Sequence, residues 1–369
     1  MLILLLKVVE EIHKENALVM IRSLFIVVAL NASLLDAFGD FKLPEIRLPW
    51  DNDSSSKSKQ TLSILDTMEL KPGDTVAVVG ASGNVGKLVS LRLSDTYNVN
   101  GIVRDASSVE SFFEGRDQIK LFEADLLDEL KDYSPGSCPE SLKAALSNAN
   151  AIVICTGTTA FPTKAWSRNE EKEVTSDVIG ALLESKFDVK GAISTLDDLG
   201  LNTPNNIDAL GNQLIYSAWN AAASVRKKRA ILLSSIGVQR REQMPFPILN
   251  ACGVLDAKAV AEQSLIESSK ENGYNYSIIR PGQLFGGPYD NNYYLGTLFQ
   301  LDKDAKTQNV EVGKGDELLG DTLRSTLAEV TAQICENDCG LNMDFAVVNV
   351  KGDVPSVEGV QTKLKGLDN

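Results

Sequence analysis

The sequence predicts an α/β fold built on a doubly wound parallel sheet. Runs of β-branched and apolar residues alternate along the chain with amphipathic stretches, which is the order of strand–helix–strand units. The first run, at residues 75–79, ends in a glycine-rich turn and leads directly into an amphipathic segment. We therefore predict a single domain over 70–355, with an insertion at about 164–202 and a non-globular segment over 1–60.

The turn after the first strand has the spacing G-x-x-G-x-x-G. Gly80 lets the chain turn sharply, Gly83 leaves no Cβ between the backbone and a diphosphate, and Gly86 lets the helix approach the strand. The N–H groups at the start of the helix, together with its positive dipole end, then bind the phosphates. The predicted diphosphate site consists of Gly80, Ala81, Ser82, Gly83, Asn84, Val85 and Gly86.

A mononucleotide phosphate loop is excluded by the same spacing. From Gly80 to the pair Gly86-Lys87 the segment is one residue too long for GxxxxGK. Leu88 also stands where such a loop has the Ser or Thr that binds magnesium.

Composition narrows the function further. A net charge of -14 argues against nucleic-acid binding, and the one basic cluster, at 226–229, is interpreted as a solvated helix end. The single histidine, His13, lies in the segment expected to be removed, which excludes histidine-based catalysis in the folded domain. The five cysteines are odd in number and scattered, so we expect free thiols in a reducing compartment and no metal site.

Residues 1–60 have the features of a targeting segment. A basic start at 20–23 precedes a short apolar core at 24–30 and then small residues. Either Met1 or Met20 is the initiator. Residues 36–39, Asp-Ala-Phe-Gly, resemble the junction of bipartite plastid presequences, which predicts a plastid location. A membrane anchor with peripheral membrane association, or a secretory signal leading to the endomembrane system or secretion, is the alternative.

Further strands and helices follow in alternation. The predicted later strands are 99–103, 119–123, 151–155, 230–234, 276–279 and 345–350. Helices are predicted at 141–146 and 174–183, and Asn205 to Asp208 are expected to cap a helix running toward Ala223. Alternation of this kind implies right-handed crossovers and a parallel sheet.

Several blocks occur in an order that resembles one known family. They are GASGNVG at 80–86, Val-Arg-Asp at 103–105, Ala-Asp-Leu at 124–126, CTGTTAFP at 155–162, LSSIGV at 233–238 and IIRPG at 278–282. Together they resemble the atypical short-chain dehydrogenase/reductases, the NmrA-like NAD(P)-binding group with a Rossmann fold. The likeness is closest to uncharacterised plastid members of plants and algae. It covers about 75–350 and is specific for the fold rather than for a reaction.

The resemblance implies a cofactor and its contacts. Arg104 stands where a basic residue meets the adenosine 2′-phosphate, which favours NADP, whereas Asp105 keeps NAD open. A solvated strand-end charge is the alternative interpretation of Arg104. The resemblance further places Asp125 at the adenine, Gly157 and Thr158 on the nicotinamide side, and Pro281 and Gly282 at the substrate end.

The catalytic pattern of the superfamily is incomplete. Its usual acid is a Tyr four residues before a Lys, and Lys258 matches the Lys whereas Val254 occupies the place of the Tyr. Ser235 matches the helper serine. Without the phenol, Ser235 and Lys258 can still bind the ribose and polarise a carbonyl, although they are poor proton donors. A solvated helix position is the alternative for Lys258.

Two further regions have open interpretations. The insertion at about 164–202 is too long for an ordinary connection, and is a lid, a partner surface or a solvated helix. Tyr293, Tyr294 and Phe299 either line a substrate pocket or pack in the core.

The leading hypothesis is an NADP-dependent oxidoreductase acting on a small carbonyl or enone. The alternative is a non-catalytic NADP(H)-binding redox sensor or assembly protein of the plastid. A third reading is an epimerase or dehydratase. The substrate, any protein partner and the oligomeric state stay open.

Overall fold

The computed structural model describes residues 68–168, 174–286 and 307–368. The predictions for the segment 1–60 and for Tyr293, Tyr294 and Phe299 lie outside the described residues, as do residues 169–173 of the predicted insertion.

The strands form an eight-stranded sheet in the order β3-β2-β1-β4-β5-β6-β10-β8, with a separate pair β7-β9. They are β1 (Thr75–Val79), β2 (Asn98–Val103), β3 (Ile119–Glu123), β4 (Ala151–Ile154), β5 (Arg229–Leu233), β6 (Asn275–Pro281), β7 (Gln283–Phe285), β8 (Asn309–Lys314), β9 (Asp321–Leu323) and β10 (Met343–Val350). Neighbours pair in parallel except β8, which runs antiparallel to β10. The order reverses direction after β1, as in a doubly wound sheet.

Helices connect and cover these strands. They are α1 (Asn84–Leu93), α2 (Leu126–Lys131), α3 (Glu140–Leu146), α4 (Thr175–Glu184), α5 (Val189–Asp198), α6 (Asn212–Ala222), α7 (Phe246–Leu249), α8 (Val254–Asn272), α9 (Arg324–Glu336) and α10 (Val357–Lys365). None of the helices in the described ranges combines the length and apolar character needed to cross a membrane.

The predicted α/β doubly wound sheet is confirmed. β1 lies within the predicted run and β3 has the predicted bounds, and the other predicted strands differ by at most two residues at an end. The antiparallel edge strand β8 and the short pair β7–β9 were not predicted. Helix α10 also extends the core past residue 355, because Val360 and Leu364 pack among its buried residues.

Both faces of the sheet are buried, and β1 shows why. Val76 and Val78 belong to one apolar cluster, whereas Ala77 and Val79 belong to a second one. Because successive side chains of a strand point to opposite faces, an apolar run without alternation is buried on both sides. The first cluster includes residues of α1 and α9, and the second includes residues of α3, α6 and α8.

Helix α1 is fixed to α9 by a charged contact. Arg92 donates from Nε to Glu329 Oε2 at 2.7 Å and from Nη1 to Glu336 Oε1 at 2.8 Å. These bidentate, charge-assisted bonds set the position of the helix that begins at the glycine loop.

The chain divides into two compact units. One contains Gly157–Ala209 and Arg240–Ala257, and the other contains the sheet together with Leu210–Gln239. The predicted insertion at about 164–202 falls inside the first unit, where it forms α4 and α5.

The expected cap at Asn205 is wrong. Asn205–Gly211 forms a π-helical segment before α6, so these residues lie inside the helical stretch. The turn is instead stabilised by Thr203, whose Oγ1 accepts from the N–H of Asn206 at 3.3 Å. The signal was the pair Thr203-Pro204, since Thr favours the cap position and Pro the first helical turn.

The interpretation of the basic cluster at 226–229 as a solvated helix end is also wrong. Helix α6 ends at Ala222. Lys228 is buried and pairs with Asp74 at 2.8 Å, and Arg229 is buried in β5. The cluster therefore fixes the amino ends of strands rather than facing solvent.

Candidate dinucleotide-binding site

The glycine loop has the shape that its spacing predicts. Gly80 has φ +80°, a left-handed conformation, and a Cβ there would lie 2.9 Å from the Thr156 side chain. A Cβ on Gly86 would lie 2.0 Å from the carbonyl oxygen of Gly80. Both positions therefore require glycine, for a turn in the first case and for close helix–strand packing in the second.

Some backbone N–H groups of the loop donate hydrogen bonds to other residues of the protein, whereas others lie in the first turn of α1. The N–H groups of Gly80 and Ala81 donate to the Ile102 carbonyl at 3.0 and 3.2 Å, and that of Gly83 donates to Gly80 at 3.0 Å. The next N–H groups, at Asn84 and Val85, belong to the first turn of α1, which has no intrahelical acceptor for them.

The N-terminus of α1 receives no side-chain cap. Gly83 occupies the cap position with φ −71° and ψ 162°, and the first turn contains no acidic residue. An anion at this position satisfies the helix donors and interacts favourably with the dipole. Gly83 is exposed, so the backbone is accessible there. The loop therefore fits the diphosphate of a dinucleotide.

Arg104 and Asp105 follow β2, the strand next to β1. Arg104 is exposed. Asp105 accepts at Oδ1 from the N–H of Ser107 at 2.9 Å and from its hydroxyl at 2.7 Å. The hydroxyl bond, chiefly, lowers the pKa of Asp105. One carboxylate oxygen of Asp105 is thus engaged in a local turn, and the exposed Arg104 lies at the end of β2.

Asp125 has a structural role that the sequence did not reveal. It is the N-cap of α2, and its Oδ1 accepts from the N–H of Leu127 at 3.0 Å. This bond fixes the chain as it leaves β3, next to the end of β2. The adenine contact stays a prediction.

Ser235 is the second residue of the loop after β5. Its hydroxyl donates to the Ile236 carbonyl at 2.9 Å. The loop is held by Asp316, a buried residue whose Oδ1 accepts from Gly237 N–H at 2.7 Å and whose Oδ2 accepts from Gln239 N–H at 2.8 Å. Asp316 therefore has a structural role in this loop.

Lys258 lies in the second turn of α8 and is half-buried. Val254, four residues earlier, is 6% exposed, so the place of the missing Tyr is filled by a packed aliphatic side chain. The assignment of Ser235 and Lys258 to catalysis stays a prediction.

Pro281 and Gly282 are buried at the end of β6. The Pro281 carbonyl accepts from Ile236 N–H at 2.9 Å, which links the loops after β5 and β6. A Cβ on Gly282 would lie 1.8 Å from the Gly320 carbonyl oxygen, so a backbone crossing requires glycine here. This packing explains Gly282 without a ligand, and its substrate contact stays a prediction.

Gly157 and Thr158 belong to the unit that contains the insertion. Within it, the N–H of Thr158 donates to Asp208 Oδ2 at 3.1 Å, and its hydroxyl donates to the Asn202 carbonyl at 2.9 Å. Asp208 lies in the π-helical segment, and such segments occur frequently at functional sites.

The cysteines and the potential metal ligands among the described residues give no indication of thiol or metal chemistry. All five cysteines are free, as predicted, and three of them are buried. Burial raises the pKa of Cys252 and of Cys335 to about 12, so neither is a reactive thiolate. No cluster of three or more metal-ligating side chains occurs among the residues that the structure describes.

Comparison with known proteins identifies the family. A family model for NAD(P)H-binding proteins matches residues 80–338. The chain belongs to this NAD(P)H-binding family. The matched residues begin at Gly80, the first glycine of the loop described above.

The chain is also similar to individual known proteins. An uncharacterised chloroplastic protein of Arabidopsis thaliana is 28% identical over 264 residues, which are 71% of this chain and 64% of that protein. The match thus spans less than two thirds of the relative's length. A solved structure from Bacillus halodurans, described as a candidate NAD-dependent epimerase/dehydratase, is 18% identical and has a TM-score of 0.50, covering 80% of this chain and all of the other. That likeness shows the fold alone.

Proposed function

We propose that this protein is an NADP(H)-dependent oxidoreductase of the plastid that reduces a small carbonyl or enone compound. The observation that carries the proposal is the uncapped start of α1 beside Gly80, Gly83 and Gly86. Membership of the NAD(P)H-binding family supports it.

The preference for NADP rests on the end of β2. Arg104 is exposed there and carries the charge that a 2′-phosphate attracts, and guanidinium binds phosphate with two parallel hydrogen bonds. The acid that would bind a free 2′-hydroxyl, Asp105, has one oxygen engaged by Ser107. We therefore expect a 2′-phosphate to bind more favourably than a 2′-hydroxyl.

Bound NADPH would supply the hydride. Ser235 and Lys258 stabilise the oxygen of the substrate carbonyl. A hydroxyl and an ammonium both donate hydrogen bonds to this oxygen, which becomes negative during reduction. The proton on the product oxygen then comes from Lys258 or from solvent. This arrangement differs from the superfamily pattern because packed Val254 replaces the phenol.

A plastid location is supported by the chloroplastic relative and by the presequence-like features of residues 1–60. A fluorescent fusion of the full chain tests it. Import into plastids is the expected result, and retention in the endomembrane system contradicts it.

Turnover is tested directly with purified protein. The protein is titrated with NADPH, NADP⁺ and NADH and then mixed with a panel of carbonyl and enone compounds while NADPH oxidation is followed. Consumption of NADPH with at least one compound supports the proposal. Ser235→Ala is expected to lower turnover by about a hundredfold, while NADPH still binds through the diphosphate. Lys258→Ala is expected to abolish turnover while the protein still binds through the diphosphate.

A second candidate is a redox sensor or assembly protein that binds NADP(H) without consuming it. Two observations favour it: the missing phenol at Val254 and the apolar surface of the insertion. Ile179 and Leu183 are one turn apart on α4, and Leu183 is 54% exposed. Leu199, after α5, is 58% exposed. Tight NADPH binding with no consumption across the panel would favour this candidate over the reductase.

A further inference from the structure

A buried carboxylate connects three segments of the predicted site. Glu262 lies on α8 and is 6% exposed. It accepts a hydrogen bond from the Ser234 hydroxyl at 2.5 Å. It also accepts two from Arg280, at 2.9 Å from Nε and at 2.7 Å from Nη2. Arg280 is 2% exposed, so this bidentate pair is shielded from water.

Each residue in this cluster lies within four positions of a predicted site residue. Ser234 directly precedes Ser235, and Arg280 directly precedes Pro281. Glu262 is four residues after Lys258 on the same helix, and positions four apart lie on one helical face. One carboxylate therefore ties together the loop after β5, the end of β6 and the helix that carries Lys258.

The contacts continue beyond Glu262. Arg280 also donates from Nη1 to Asp344 on β10, and Gln239 donates to the same Asp344 oxygen at 2.9 Å. Gln239 ends the segment whose backbone Asp316 binds. The loop that begins at Ser234 is thus held at both ends.

Stability alone does not account for a buried ion pair. Replacing such a pair with packed apolar side chains is frequently neutral or stabilising. Burial works to lower the pKa of Arg280, but the hydrogen bonds and charge of Glu262 and then of Asp344 raise it above its ordinary value. The guanidinium of Arg280 is therefore charged, and its two directional hydrogen bonds to Glu262 fix the geometry of both side chains.

We infer that Glu262 is a positioning residue that holds Ser235 and Lys258 in register to bind the nicotinamide half of the cofactor. The inference rests on the proposed function. It assigns Glu262, with Ser234 and Arg280, to a role that is separate from binding of the adenosine half at the glycine loop and Arg104.

The test compares two ligands on the full chain. NADPH contains both halves of the cofactor, whereas adenosine 2′,5′-bisphosphate contains only the adenosine half. Glu262→Gln keeps the shape of the side chain and removes its charge. We expect it to weaken NADPH by about tenfold, because a hydrogen-bonded charge is lost, and to change affinity for the bisphosphate by less than about twofold.

Asp74→Asn is the matched control. It breaks a partly buried ion pair, with Lys228, which lies at the amino ends of β1 and β5. We expect it to lower the unfolding midpoint and to leave both affinities unchanged. If Glu262→Gln does not fold, Ser234→Ala removes one bond of the cluster and is expected to weaken NADPH alone by about threefold.

Failure of the inference for Glu262 and failure of the proposed function give different results. Equal weakening of both ligands, or unchanged NADPH affinity in a folded variant, overturns the inference for Glu262. Wild-type protein that binds neither ligand overturns the proposed function itself. If the wild-type protein binds both ligands equally tightly, the nicotinamide half contributes nothing to affinity. That result also overturns the inference.

Discussion

A methyl group on Gly86 would lie 2.0 Å from the carbonyl oxygen of Gly80. No Cβ tolerates that distance, so the start of α1 contacts the glycine loop only because Gly86 has no side chain. The loop and the helix are consequently held in one arrangement, in which the first-turn N–H groups converge at Gly83.

Gly86→Ala is expected to disrupt this contact. The loop must move away from the helix, so we expect a loss of about 1–3 kcal/mol in the free energy of unfolding. NADPH affinity should fall by at least about tenfold, because the amides no longer converge. Urea unfolding and NADPH titration check both effects. Gly180→Ala is the control, since a Cβ there meets nothing within 4 Å, and unchanged NADPH binding in Gly86→Ala would contradict the prediction.

Arg104→Ala tests the preference for the 2′-phosphate. We expect NADPH affinity to fall by about tenfold, as for the loss of a charge-assisted hydrogen bond, with NADH affinity unchanged within about twofold. Fluorescence titration with both cofactors measures this. Arg116→Ala is the control because Arg116 is also a partly exposed cation, paired with Asp95 at 3.0 Å. Equal loss for NADPH and NADH would contradict the role of Arg104.

The side chain of Arg229 donates hydrogen bonds to backbone carbonyls in and after the last turn of α9. Its guanidinium donates to the carbonyls of Ile334 and Cys339 and to the Ser277 hydroxyl, all in the interior. Arg229→Met leaves these acceptors without a donor, so we expect a loss of about 3 kcal/mol in the free energy of unfolding.

Urea unfolding measures that loss. Lys143→Met is the control, since Lys143 forms an exposed pair with Glu140, and its removal should cost less than about 1 kcal/mol. Comparable losses for the two variants would contradict the structural role of Arg229.

Cys335 makes stability depend on pH in the alkaline range. Burial is the main cause that raises the pKa of its thiol from 9.0 to about 12 in the folded chain. Between these values the unfolded chain has lost the proton and the folded chain has kept it, so stability falls as pH rises.

Cys335→Ala should therefore flatten the alkaline decline. We expect the wild type to lose about 1.4 kcal/mol more per pH unit than the variant above pH 9, and no difference in slope below about pH 8. Urea unfolding across this range provides the measurement. Parallel slopes throughout would show that the folded thiol titrates normally.

The sequence predicted those elements whose conformation depends mainly on residues that are neighbours in the chain. β1 is an apolar β-branched run bounded by a turn and a glycine, and both its place and the helix after it follow from those residues. β8 was missed although Val310 and Val312 alternate with other residues as in a half-buried strand, because the run is short and its pairing with β10 depends on contacts distant in sequence. The three-residue strands β7 and β9 are likewise defined by each other.

The candidate site was predictable to a similar extent. The glycines can be identified from their spacing, because the backbone geometry of the loop requires glycine at fixed positions. Glu262 and Asp316 gave no such signal, because an acid on a helix or in a loop is usually solvated. Their burial depends on Arg280 and on the backbone of Gly237 and Gln239, which only the folded chain brings near.

The central claim is that the amides at the start of α1 bind the diphosphate of NADP(H). A crystal structure of the protein grown with NADPH tests it most directly. We expect diphosphate oxygens within hydrogen-bonding distance of the N–H groups of Asn84 and Val85, with the adenosine 2′-phosphate beside Arg104. A cofactor bound elsewhere, or a glycine loop filled by side chains of the protein itself, would contradict the claim.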